Sequence, residues 1–375
     1  MQLVKLSFVA CAVLLVTNIY AEDYVSLQYM SYDEDSGRTN ISVPSIEINK
    51  DFGADYTVNV SIIQDAISGA SPTFYDASSG ASTKLSTSVL SKQDIAYGNI
   101  DYEEKRDAYG ALLTKRFENR DELTLGLNHS KEYDYESNEI SSEYLHHLDS
   151  SKNQSVSFGV SYQKNEVLKY DTSSGASGSI TKNLEVVSAE LGFTQVLDKT
   201  SLAKISVFNI SESGYLSNPY LRVVRNYDTN PTIAEDKKPE SRKTYGIFLQ
   251  YSKAFNNQIA SNSSYRYYSD DWGIKSQTFT TEINYEWTSA FTAGFAFRGY
   301  RQTEADFYHL SREYFTNEEF ASSDKRMSDF DTQNIEAKIK YDVNEALSLN
   351  GAIGYYTQFD YFSSTYYNIG LKYKF

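Results

Sequence analysis

The chain has 375 residues, 15% of them aromatic, with 33 tyrosines and a formal net charge of −15. So acidic a balance argues against nucleic-acid binding, because neutralising phosphates needs a basic surface. The single cysteine, Cys11, falls in the N-terminal leader, which excludes disulfides, thiol catalysis and cysteine-based metal sites from the chain beyond it.

That leader reads as a secretory signal peptide over residues 1–21. Lys5 supplies the positive start, Leu6 to Val16 form an apolar stretch of about eleven residues, and Ala21 offers a small residue for cleavage before Glu22. The stretch is short of the roughly 20 apolar residues that a spanning helix needs, and no later segment approaches that length. Val9-Ala10-Cys11 sits too early to serve as a lipoprotein cleavage box. An exported chain without a helical span is periplasmic, secreted or a barrel.

From Tyr24 onward the sequence alternates with period two, the signature of strands. Val25, Leu27 and Tyr29 share one face of the first strand, and Asp33 to Arg38 break it. The return strand from Thr39 to Lys50 changes phase at Pro44, which predicts a bulge there. After a short turn, Tyr56, Val58, Val60 and Ile62 alternate with polar residues, and a long loop is expected near 66–105. Tyr109, Ala111 and Leu113 precede the turn Glu118 to Asp121, and Leu123, Leu125 and Leu127 follow it. The same grammar recurs at Val156 to Tyr162, Val187 to Phe193, and Ile205 with Val207. A second long loop near 214–242 holds three of the five prolines. Tyr245 to Tyr251, a weak strand around Ser261 to Tyr267, Phe279 to Trp287 and Phe291 to Phe297 come next. A third long loop near 303–328 leads to Ile335 to Tyr341, Leu347 to Tyr355 and the last strand. That strand places Tyr367, Ile369, Leu371, Tyr373 and Phe375 on one face and runs to the final residue.

Nearly every strand has one apolar face and one polar face, and short turns alternate with long loops. A sandwich buries its apolar faces against each other and does not leave so polar an opposite face on every strand. Alternation of this kind predicts an all-β, transmembrane, antiparallel up-and-down barrel of about 16 strands, with short periplasmic turns and long extracellular loops. A mean hydropathy of −0.51 is compatible with it, since half of each barrel strand lines a polar lumen. One domain, 22–375, is expected. Strand parity directs Glu190, Lys204, Glu282, Glu286, Arg298, Glu336, Lys338 and Lys340 inward. Phe248, Tyr300 and Tyr356 share that parity.

Two local sequences stand out. The run Asp33-Glu34-Asp35-Ser36-Gly37-Arg38 reads first as a solvated turn with Gly37 at positive φ. Asp33, Glu34 and Asp35 offer a candidate Ca²⁺ site, without the spacing of a full calcium loop. The second is Asp65-Ala66-Ile67-Ser68-Gly69-Ala70-Ser71-Pro72, whose Ser-Gly-Ala-Ser recurs at Ser79 to Ser82 and Ser174 to Ser177. Flexible loop tips explain it. A sharper reading folds Asp65, Ser68, Gly69, Ser71 and Pro72 inward as a constriction. Taken together, the two motifs resemble a Gram-negative family catalogued as domain of unknown function thirty-five-seventy. The resemblance covers nearly all of the chain after the leader. It implies an exported, barrel-like protein without established activity, and supplies no catalytic residues.

The four histidines are His129, His146, His147 and His309. His146 and His147 are adjacent on a strand and face opposite sides, and no Gly-x-Ser-x-Gly elbow surrounds a serine, so no enzyme is expected. The reading that remains is an outer-membrane, porin-like passive channel for small polar solutes or ions, with cations slightly favoured. Its alternatives are a non-conducting barrel whose extracellular loops serve partner proteins, and a barrel enzyme with a loop-borne site. Expected partners are outer-membrane lipid and the barrel-assembly machinery, which reads the C-terminal strand ending in Phe375.

Overall fold

The computed structural model describes residues 23–37, 39–76, 89–171, 178–310, 315–359 and 361–375. Residues 1–21, expected to be a signal peptide, Arg38 and the repeats at Ser79 to Ser82 and Ser174 to Ser177 lie outside them. Among the described residues, eighteen strands form in chain order. The first nine are β1 (Tyr24–Glu34), β2 (Thr39–Phe52), β3 (Tyr56–Asp76), β4 (Ile95–Arg116), β5 (Glu122–Lys131), β6 (Tyr135–His147), β7 (Gln154–Asp171), β8 (Gly178–Asp198) and β9 (Ser201–Gly214). Two short strands follow, β10 (Arg222–Arg225) and β11 (Thr232–Glu235). The remainder are β12 (Ser241–Ala254), β13 (Ile259–Asp270), β14 (Lys275–Thr288), β15 (Phe291–Gln302), β16 (Phe330–Asp342), β17 (Leu347–Gln358) and β18 (Phe362–Lys374). All but β10 and β11 make one closed antiparallel barrel of 16 strands, each paired with its sequence neighbours. Closure comes from β1 against β18, in register from Tyr24 opposite Lys374 to Glu34 opposite Ser364. The expected strand number and topology are therefore found.

Solvation is inverted. Leu127 is 60% and Ile369 64% exposed on the outside, whereas Ser206 and Ser364 on the inside are 1% and 0% exposed. In a water-soluble protein those positions would be exchanged. Among the described residues no helix is long and apolar enough to cross a membrane, and strands carry the apolar surface.

Asp23 and Phe375 lie together at one end, where connections are tight turns. Gly53, at φ +66°, turns β2 into β3 there. The opposite end carries the long loops.

Two expectations change. The register of β1 with β2 runs unbroken through Pro44, which sits opposite Tyr29, so no bulge forms. Ile41 and Val43 instead share the inward face of Glu47; the change of phase reflects apolar residues placed inside the barrel. The loop near 66–105 is shorter than expected, because β3 and β4 stay paired up to Asp76 opposite Ile95. Above the apolar belt nothing requires an oily outer face, so this ribbon carries no alternation to read. The loop near 214–242 holds the β10–β11 hairpin, and the loop near 303–328 holds the 3-10 turn Lys325–Met327.

Candidate functional site

The barrel interior and the plug over its loop end are the candidate site. Alternation along each strand sends every second side chain inward, and curvature brings alternate strands close enough to touch. Lys338 of β16 reaches across β15 to Glu282 of β14 at 2.8 Å and also holds Glu336 at 3.1 Å. Lys204 pairs with Glu190 at 3.5 Å, and Lys340 with Asp342 at 3.0 Å. Glu286 lies exposed beside a bulge between Glu286 and Thr288 at the turn end. Arg298 forms no ion pair among the described residues and lies over the Tyr300 ring at 5.4 Å. These eight residues keep the inward parity read from the sequence; what the sequence did not give is their pairing.

Two inward glycines make room for rings. A Cβ at Gly246 would collide with Phe208, and one at Gly354 with Tyr366. Each ring lies flat across the glycine of the neighbouring strand, so aromatic side chains fill the wall rather than the axis.

The plug is built from the two long loops of the loop end. The segment between β9 and β12 leaves the barrel, forms the β10–β11 hairpin and contacts the β3–β4 ribbon on the far arc. Val224 packs with Phe74 and Ile95, the Leu90 amide donates to Pro231 O at 2.9 Å, and Tyr220 donates to Asp134. The segment between β15 and β16 joins it through a bridge of Arg225 with Phe315 and another of Lys237 with Ala321. Val223, Phe315 and Ala321 form a dry cluster where the two meet. A second cluster gathers Trp272, Ile274, Phe307 and Met327. Among the described residues, the buried apolar clusters all lie at this end, because the barrel wall gives its apolar side chains to the outside.

A buried charge lock joins the two segments. Lys238 donates to Asp324 at 2.7 Å and lies 3.7 Å from Asp236. Burial pushes the Asp236 carboxyl up, against the pull of Lys238. Burial also opposes ionisation of Asp324, but Arg326 and Lys238 outweigh it and hold that carboxyl well below the usual range.

Under the plug, Glu104 of β4 meets Glu132 and Asp134 of the β5–β6 connection, with ligand atoms within 4.8 Å of one another. The neighbours Glu103 and Lys105 are exposed and polar, so this level lies beyond the apolar belt. Burial, then the charges of Glu132 and Asp134, push Glu104 up to about 8. Burial likewise raises Glu132. Asp65, from the expected constriction, pairs with Arg106 at 2.5 Å.

The other sequence candidates are placed as follows. Ser68, Gly69, Ser71 and Pro72 are not an inward loop: they are β3 residues, opposite Glu103, Tyr102, Ile100 and Asn99. Asp33, Glu34 and Asp35 do not converge. Asp33 and Asp35 are exposed, and buried Glu34 accepts from Tyr32 at 3.1 Å. Gly37 has the expected positive φ, +67°. Phe375 donates its amide to Asp23 O at 3.0 Å, with the Lys50 ammonium 5.2 Å above its ring. His146 bonds Asp121 at 2.8 Å, and Tyr144 donates to the same carboxylate at 2.8 Å, fastening the β4–β5 turn to β6.

The chain belongs to the family described as "Protein of unknown function (DUF3570)", whose model matches residues 9–368. No curated protein matches it. Among solved structures, a bacterial polysaccharide outer membrane secretin is similar at a TM-score of 0.50 and 7% identity, over 96% of this chain and 100% of that one. CdiB from Acinetobacter baumannii is similar at 0.52 and 8% identity, over 94% of this chain and 60% of that one. Identities this low carry the fold alone: a closed barrel of the outer-membrane type.

Proposed function

We propose that this DUF3570 protein resides in the outer membrane as a porin-like passive channel for small polar solutes or ions, its mouth narrowed by the plug. The observation that supports this most is the polar interior of a 16-stranded cylinder, a strand number at which barrels hold water. Beside the paired interior charges, four further ones stand on opposite arcs. Arg266 and Arg298 stand on β13 and β15, while Glu139 and Glu143 stand on β6, on the facing arc. Such separation sets a field across the lumen that orients a dipolar solute. The turn end faces the periplasm and the loop end the exterior in this reading. The last strand and Phe375 serve the assembly machinery. Reconstitution into planar bilayers tests the channel: discrete conductance steps are expected, and ion-tight membranes containing folded protein would remove it.

The plug favours one other reading. A mouth bridged by segments with their own dry clusters also suits a non-conducting barrel that presents the loops to partner proteins. Steps that appear only after the plug is loosened would support that alternative.

A further inference from the structure

Most of the interior-facing arginines and lysines among the described residues are held by carboxylates. Arg106 is held by Asp65, Arg116 lies 3.4 Å from Glu122, and the Arg242 Nε donates to Asp270 at 2.8 Å. Lys204 and Lys338 have the carboxylates already named. Arg266 and Arg298 break this pattern. Neither has a carboxylate or a hydrogen-bond acceptor among the described residues. Each instead lies over an aromatic face, Arg266 at 4.4 Å from the Phe208 ring centre and Arg298 at 5.4 Å from that of Tyr300. Glu190, the carboxylate whose field reaches Arg266, is engaged by Lys204 at 3.5 Å.

The two arginines are close in the wall. Arg266 is opposite Thr278 and Thr278 is opposite Tyr300, while Arg298 is opposite Thr280 one step of the same face away. Two like charges held together inside a barrel repel each other, and leaving them without a counter-ion is costly. A ring beneath each guanidinium holds the plane, so its N–H edge remains to be satisfied from the lumen. That edge matches a carboxylate bidentately. Phe248, directly opposite Arg266, and Tyr356, on β17, add apolar faces on the same side.

We propose that Arg266 and Arg298, with Phe208, Phe248, Tyr300 and Tyr356, form a binding site inside the barrel for a small organic carboxylate. Two guanidiniums, held on Phe208 and Tyr300, supply charge-assisted donors, and Phe248 and Tyr356 receive the apolar body. A free phosphate uses the same arginines but gains nothing from the rings. This site relies on the channel reading for solute access, and it reverses, locally, the slight cation preference that net charge suggests.

Isothermal titration of the detergent-solubilised, folded barrel with benzoate, acetate and inorganic phosphate tests the site. Benzoate is expected to bind tightest. Arg266→Gln and Arg298→Gln are each expected to weaken it roughly tenfold or more, the size of one charge-assisted hydrogen bond. Arg301→Gln, which removes an exposed pairing with Asp331, is expected to leave binding unchanged. Heat-modifiable gel migration verifies that each variant is folded. Benzoate binding that survives the folded double variant Arg266→Gln/Arg298→Gln would overturn the site, as would phosphate binding more tightly than benzoate. Binding without ion flow in bilayers keeps the site and removes the channel; ion flow without binding does the reverse.

Discussion

Tyr366 of β18 lies across Gly354 of β17 and donates its hydroxyl to Glu336 of β16 at 2.7 Å. Three strands are thereby tied by one side chain, and the tie exists only because the middle position lacks a Cβ. Gly354→Ala should displace the ring and cost about 1–3 kcal/mol, the range for overpacking. Urea unfolding in detergent micelles measures it. Tyr366→Ser in the same chain should recover most of the loss.

Lys238 serves two buried carboxylates, Asp236 and Asp324. Lys238→Met leaves one carboxylate without its cation in a dry place, a change worth about 3–5 kcal/mol where a buried pair is broken. Because the lock joins the two plug segments and not the barrel wall, the effect should be local. Hydrogen exchange should accelerate over 215–240 and 303–329 while the barrel strands keep their protection.

The plug should also respond to pH through Glu104 and Glu132. Both carboxyls are raised in the folded state, so the stability they lend the closed mouth is complete below their ordinary range. It is lost as pH rises through the raised values, when like charges accumulate beside Asp134 and its Tyr220 contact. Exchange over 215–240, corrected for its intrinsic rate, should increase between about pH 5 and about pH 9. Glu104→Gln should flatten that dependence.

At the turn end the sign is opposite. Burial raises the Asp121 carboxyl, but hydrogen bonds from His146, the His147 amide, Tyr144 and Asn119 outweigh it and hold it far below the usual range. Its contribution is present above the ordinary carboxylate value and is lost only as strong acid protonates it. Asp121→Asn should therefore destabilise the barrel by about 1–3 kcal/mol at neutral pH, as a buried charged acceptor is lost. Thermal unfolding followed by circular dichroism reads this directly.

The wall was legible in the sequence because a lipid-facing surface forces every second residue to be apolar, from Leu27 to Ile369, and so marks strand, face and count together. Parity assigned Glu282, Lys338 and Arg298 to the interior for the same reason. Their partners were not legible, since alternation gives a face and not which residue two strands away will be reached. The plug was opaque for a different cause. Val224, Val223 with Phe315, and Trp272 anchor three separate buried clusters, on a four-residue strand and irregular backbone too short to show a period. The meeting of Glu104 with Glu132 and Asp134 depends on how far the ribbon above the belt stays paired, and nothing oily marks that distance. Pro44 misled, because apolar Ile41 and Val43 on the inner face mimic a change of phase.

The account rests on apolar side chains facing lipid while water fills the interior. Cys11 is the only cysteine, so single cysteines can be placed in an otherwise thiol-free barrel in lipid vesicles, once Cys11 is replaced. Ile369→Cys, on the outside, should be protected from a small water-soluble thiol reagent, and Asn334→Cys, on the inside, should react. Reaction at 369 with protection at 334 would contradict the account.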